Sequence, residues 1–341
     1  MHICQNRGMR QATLSLACVL LGFLTASSAE AADLAGKRVE ITVGFSAGGA
    51  PDTEARLAAQ HLGRFFPGHP TFIVVNKPGA ETVIQANYMA KLAPSDGTSI
   101  GFFSRASALQ QIASRPNIKF DLTEFQWFWA YAPQNLVAFI RRDRHIDSIA
   151  TAKAAQTPIV FGARSPGSTD FLGGKALEML GIPLHIVLGY EGGQMTLGFE
   201  RGELECLAFT TEALRQRPDW LKPDGLAVLL VEFGSIRSES DVPFGPELHP
   251  LPGRESIYAL VNKALGLPVG AFAGPPGMSA DMVEAYREAF VQMAADPQFR
   301  ADAERRHLEP GRQSGPEVTQ MFHEFLTPSA EARKEFAALV Q

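Results

Sequence analysis

Gly44-Phe45-Ser46-Ala47-Gly48 matches G-x-S-x-G, the turn that presents a nucleophilic serine in many hydrolases. That chemistry needs a histidine base and an oxyanion cradle built by earlier elements. Ser46 ends the first strand after an apolar leader, so nothing precedes it to supply the cradle. His249, His307 and His323 fall in a connector and in helical stretches, and none follows a strand. The same residues suit a second chemistry. Gly48 and Gly49 let the backbone approach a ligand with no Cβ in the way. Successive N–H groups at a helix start attract anions. The segment Ser46–Asp52, with Ala47 inside it and Pro51 opening a helix, therefore reads as an amide cradle. Asp52 suits the helix dipole but is an awkward neighbour for an anion.

Four more loops of this kind follow strands. One is Asn76-Lys77-Pro78-Gly79-Ala80-Glu81. Another is Ser104-Arg105-Ala106-Ser107, where Arg105 is in reach of a cleft. A third is Ala163–Asp170, which carries Ser165, Gly167, Ser168 and Thr169. The last is Gly189-Tyr190-Glu191-Gly192-Gly193. Thr210, just beyond the run 204–209, joins the set. Any one of these is a turn with a capped helix; five at one sheet edge point to a ligand site. Other chemistry is absent or weak. There is no G-x-G-x-x-G and no phosphate-loop lysine. No histidine pair has metal spacing, and Cys206 stands apart from other ligand types, so neither metal nor cofactor is expected. Arg141-Arg142-Asp143-Arg144-His145 and Arg305-Arg306-His307 read as solvated charge.

These loops need strands and helices to hold them. Arg38–Phe45 reads as a strand, Pro51–Phe65 as an amphipathic helix, Phe72–Asn76 as a strand, Thr82–Leu92 as a helix and Ser99–Ser104 as a strand. This βαβαβ order predicts an α/β fold with a parallel sheet and right-handed crossovers. Pro94-Ser95-Asp96-Gly97 is a turn. The aromatic stretch 125–140 is a first passage into a second domain. That domain repeats the alternation: strand 159–162, helix 168–180, strand 184–190, helix 194–201, strand 204–209. Ala227–Phe233 is the route back, followed by a Pro/Gly-rich connection, 234–254. Val269–Gly274 adds a strand to the first domain. Helices 279–295, 297–307, 316–325 and 329–340 finish the chain, the first capped by Ser279. The expected organisation is a leader, 1–31, a discontinuous first domain, 32–130 with 250–341, and a second domain, 131–249. Two domains joined by two or more crossings predict a hinged clamp with its ligand at the carboxyl ends of the strands.

Arg7 and Arg10, the apolar run 12–26 and Ala29-Glu30-Ala31 make a secretory signal with cleavage near Ala31, hence a periplasmic protein. The run is short of the roughly 20 apolar residues a membrane span wants. Removing Arg7, Arg10 and Glu30 turns 31 basic and 36 acidic residues into 29 and 35. That acidic balance argues against nucleic acid. Cys206 remains as the one cysteine after the leader, which leaves no intramolecular disulfide and suits a buried small hydrophobe.

With these loops in view, the chain resembles the substrate-binding proteins of tripartite tricarboxylate transporters, the Bug-type family. The matching pieces are "ITVGFSAGGAPD", "VVNKPGA", "APSDGTSIG", "SPGSTDFLGGKAL", "GYEGGQMTLGFERGELE" and "PPGMSADMVEAYREAFVQMAADPQF". Gly48, Gly49 and Asp52 fit the family's glycine pair and acid; Asn76, Pro78, Gly79 and Ala80 fit its Asn-x-Pro-Gly-Ala. The resemblance implies a two-lobed periplasmic binding protein, type II-like. It implies a monomer that takes a small organic acid and no nucleic acid, without catalysis, and serves membrane permease subunits. It also implies a ligand carboxylate held by backbone amides and waters of the first two loops, with second-lobe loops closing over the other end. Glu81 and Thr82 stand where many members carry two more glycines. A Glu81 facing the cleft would disfavour a di- or tricarboxylate; a Glu81 in the first helical turn would merely favour the dipole. A sensory module docking on a receptor kinase, and a serine hydrolase using Ser46, are the alternatives.

Overall fold

Val39, Ile41 and Val43 are fully buried, so the first strand, β1 (Arg38–Val43), lies inside a sheet rather than at its edge. β2 (Thr71–Asn76) and β3 (Ser99–Phe103) flank it in parallel. The computed structural model describes residues 33–340, apart from 115, 116, 132, 133, 191, 239, 240, 307, 310 and 312. The expected leader lies outside the described residues. The helices between these strands are α1 (Ala50–Leu62) and α2 (Val83–Lys91). The sheet continues with β4 (Gln126–Ala130), β10 (Ala271–Gly274) and β11 (Gln313–Ser314) in the order β11-β4-β10-β3-β1-β2.

A second sheet has the order β7-β6-β8-β5-β9. Its strands are β5 (Leu136–Arg141), β6 (Ile159–Gly162), β7 (Leu184–Val187), β8 (Cys206–Thr210) and β9 (Ala227–Phe233). Both sheets follow one plan. The runs β2-β1-β3 and β7-β6-β8 are parallel, as the sequence predicts. One strand in each is then inserted antiparallel: β10 between β3 and β4, and β5 between β8 and β9. The inserted strands are the ones that arrive from the other sheet, so they enter reversed. The sheets are therefore mixed.

Four helices escape the sequence reading: two short ones, Ile149–Lys153 and Thr211–Arg215, and two longer ones. α3 (Arg105–Ile112) starts one residue after β3, with Ser104 Oγ accepting from the Ala106 N–H at 3.2 Å. α8 (Glu255–Gly266) directly follows the Pro/Gly-rich connection and buries Ile257, Leu260, Val261, Ala264 and Leu265. The other helices are α4 (Ile149–Lys153), α5 (Thr169–Met179), α6 (Gly192–Arg201), α7 (Thr211–Arg215), α9 (Ala280–Ala295), α10 (Pro297–Arg305), α11 (Gly315–Leu326) and α12 (Ala330–Leu339). Ser279 caps α9, as expected.

The described residues belong to one compact unit. One apolar cluster packs α1 and α9 against one face of the first sheet. Another packs α6 and Trp220 on one face of the second. A third runs unbroken through both sheets and includes α5, α8, α11 and α12. The aromatic stretch fills two of these clusters. Trp127 stacks on Phe322 with centroids 4.1 Å apart, while Phe128 stacks on Tyr286 at 4.6 Å on the opposite face. Cys206 is buried, and burial pushes its thiol well up. Among the described residues, no helix is long and apolar enough to cross a membrane.

Candidate functional site

A cavity of about 820 Å³ opens where the parallel strands of both sheets end. From the first sheet come Phe45, Pro51, Glu81, Thr82, Ser104 and Arg105. From the second come Ser165, Gly167, Ser168, Thr169 and Thr210. Ser104, Ser168 and Thr210 do not point free hydroxyls at a ligand. Each caps a helix, accepting from the N–H of Ala106, Phe171 or Ala213 at 3.2, 3.4 and 3.3 Å. The N-terminal turns of α1, α3 and α5 thus meet at the cavity, which favours negative charge there.

The remaining expected site residues are not in the cavity wall, and several have other work. Asp52 is buried, and its carboxylate accepts from the Gly48 N–H at 2.9 Å, Arg56 Nε at 2.8 Å and Asn76 Nδ2 at 2.9 Å. Asn76 Nδ2 also donates to the Phe45 carbonyl at 2.9 Å. The first two loops are therefore laced together. The Gly48 amide already has a carboxylate inside the chain, and the Arg56 bond first of all holds Asp52 down to about 2. Asp170 does the same in the second sheet: it accepts from the Arg164 N–H at 2.6 Å and from Arg164 Nε at 2.9 Å. Ser46, Ala47 and Gly49 are exposed beside the cavity. Tyr190 packs with the apolar cluster around α6, and Gly192 opens that helix. Among the described residues, Ser46 has no histidine partner. None of the described His, Cys, Asp and Glu residues groups in threes or more to hold a metal.

The second loop carries an unusual backbone. Gly79, Ala80, Glu81 and Thr82 all have positive φ, at 128°, 47°, 49° and 74°. Glycine adopts this region freely; L side chains do not. Thr82 is held by a 2.7 Å hydroxyl contact with Ser107, deep in the wall. Its Cβ sits so close to Gly44 that a Cβ there would approach to 2.9 Å. Glu81 is exposed at the cavity rim, where Gln110 donates to it.

The structure adds residues that the sequence does not single out. Gln134, Leu136, Met195, Phe209 and Arg217 line the wall. No spacing rule finds Arg217, because it lies past a short helix. Arg105 was expected in the cleft, and it lines the wall while buried; burial brings it down to about 10. Nearby, Glu54, Tyr131, Gln134 and Glu212 line a small cavity of about 20 Å³, room for one water. Glu54 Oε2 has no protein partner there, and burial, then the Glu212 charge, pushes its carboxyl up to about 8.

No family model matches the chain. A Cupriavidus necator protein described as "UPF0065 protein in gbd 5'region" is 22% identical over 347 residues, spanning 100% of this chain and 96% of its own. The crystal structure of a TctC solute binding protein from Polaromonas superposes with TM-score 0.69 at 17% identity, covering 89% of this chain and 98% of that one. An R. palustris protein solved with adipate gives TM-score 0.61 at 18% identity, covering 90% and 99%. These similarities show the fold: a two-lobed binding-protein architecture over nearly the whole chain.

Proposed function

We propose that this chain is an exported solute-binding protein of the Bug type, which captures a small carboxylate-bearing solute for a tripartite tricarboxylate-type permease. The observation that carries the reading is the cavity between the strand ends of two sheets, into which helix N-termini point. Its size lies in the ordinary range for small-molecule sites, roughly 300–1,000 Å³. The likeness to a TctC solute binding protein, and to a relative solved with adipate, supports the class of cargo. Capture is reversible and without covalent chemistry, which agrees with the lone Ser46. The lobes are 32–130 with 250–341, and 131–249. Amides of the first two loops other than that of Gly48, at the cavity edge beside Phe45 and Glu81, hold one carboxylate, and Ser165, Gly167, Ser168, Thr169 and Thr210 close from the other side. The start of the chain directs export to the periplasm.

Thermal-shift screening against mono-, di- and tricarboxylates, aromatic acids and amino acids tests this. At least one carboxylate should raise the melting temperature, and Thr169→Trp, which fills the cavity, should melt normally but lose the shift. A shift that survives in Thr169→Trp puts the ligand elsewhere. A response to none of the acids overturns the reading.

A further inference from the structure

Charge in the cavity wall is unevenly matched. Arg164 and Asp170 pair at 2.8 Å and cancel. Glu81 sits at the exposed rim with Gln110. That leaves two arginines, one from each sheet. Arg105, 5% exposed, donates from Nη1 to the Leu265 carbonyl at 2.6 Å and from Nη2 to the Gln134 carbonyl at 3.1 Å. Arg217 donates from Nη1 to the Ala213 carbonyl at 2.9 Å and from Nη2 to Thr196 Oγ1 at 3.1 Å. Its guanidinium also lies 5.6 Å from the Phe209 ring centroid and 5.3 Å from that of Trp220. Neither has a carboxylate partner among the described residues.

A guanidinium offers five N–H donors in a rigid fork. Each of these arginines engages two neutral acceptors and keeps donors over. Arg105 is a buried cation without an anion, which is unfavourable, and an anionic ligand relieves it; Arg217 is half-buried and open to the same ligand. The contacts also fix each fork in place: Arg217 by its aromatic platform, Arg105 by two carbonyls. We propose that Arg105 and Arg217 form a two-point anion clamp across the cavity, with Arg217 as the specificity-determining residue that reads an anionic group on the second-sheet end of the cargo. This rests on the carboxylate-binding reading above. It shifts recognition of the far end from loop amides to a side chain.

Isothermal titration of the intact protein with the α,ω-dicarboxylates malonate through suberate, and with the monoacids of equal length, tests it. The unmodified protein should prefer a dianion over its monoacid by at least about tenfold, as desolvated charge pairs do. Arg217→Gln should lose most of that preference while the monoacid affinity moves less than about threefold, a split that general unfolding does not produce. Arg217→Lys should restore part of it. Arg105→Gln, folded by circular dichroism, should weaken both classes. An unchanged dianion preference in Arg217→Gln overturns the clamp. So does an unmodified protein that binds monoacids as well as dianions, although carboxylate capture then stands. Binding to neither class removes the functional reading itself, and the clamp with it.

Discussion

Among the described carboxyl groups, Glu54 departs furthest from ordinary behaviour. It sits in α1, buried, between Tyr131 and Glu212, with one carboxyl oxygen unpartnered. A carboxylate there would be desolvated and would face a second acid, so the neutral form is favoured and the group titrates at about 8. In the unfolded chain a glutamate titrates near ~4.3. Below that pH both states hold the proton and nothing is lost. Between there and about 8 the native state keeps a proton that the unfolded state releases, so this group's contribution to stability falls as pH rises. Glu54→Gln removes the titration. Its melting temperature relative to the unmodified protein should climb from pH 5 to pH 8 and level off above. Melts at several pH values check this, and a pH-independent difference would show that Glu54 is ionised throughout.

At the scale of elements, the second loop shows how a turn's geometry can outlast its usual residues. Glu81 has φ 49° and ψ 52° without being a glycine. A left-handed L residue costs roughly 1–2 kcal/mol, and glycine returns part of that as unfolded-chain entropy. Glu81→Gly should therefore raise stability by up to about 1 kcal/mol in urea melts. Thr82→Gly should lower it, because Thr82 also fills a buried site and bonds Ser107. A loss of stability in Glu81→Gly as large as that in Thr82→Gly would show that the Glu81 conformation is not strained. The sequence pointed to this loop through Pro78-Gly79-Ala80, yet it could not show that Glu81 would reach the cavity rim, or that Asp52 and Asn76 would lace two loops together. Such roles depend on partners tens of residues away. The strands were legible because their apolar runs are short and bounded by turn residues: 159–162 and 227–233 fall where the structure has them. Helix α8 was not, because its apolar stripe directly follows a connection rich in Pro and Gly. Arg217 was not either, since its value lies in Phe209, Trp220 and Thr196 meeting it in space.

The whole molecule has two sheets but not two separate interiors. One apolar cluster passes from Phe103 and Trp127 through Leu136 and Leu172 to Phe322 and Phe336. Helix α8 packs on α5 beside the second sheet and on α11 and α12 beside the first. A closing motion must therefore turn about this shared spine, with bending confined to the described ends of the segments that join the sheets, 134–135 before β5 and 267–270 before β10. Arg105 bonds the carbonyls of Gln134 and Leu265 at the edges of both segments, so an anion drawn to its guanidinium acts where the lobes would pivot. Packed cores resist continuous deformation, and hinges absorb motion in a few element-terminal residues. Saturating carboxylate should lower the radius of gyration in small-angle scattering. In hydrogen exchange it should protect 44–49, 104–106 and 164–169, while β1, β8 and α8 stay as they were. Unchanged scattering with protection confined to one lobe would mean a rigid receptor that binds without closing; loss of protection in α8 would mean that the spine itself opens.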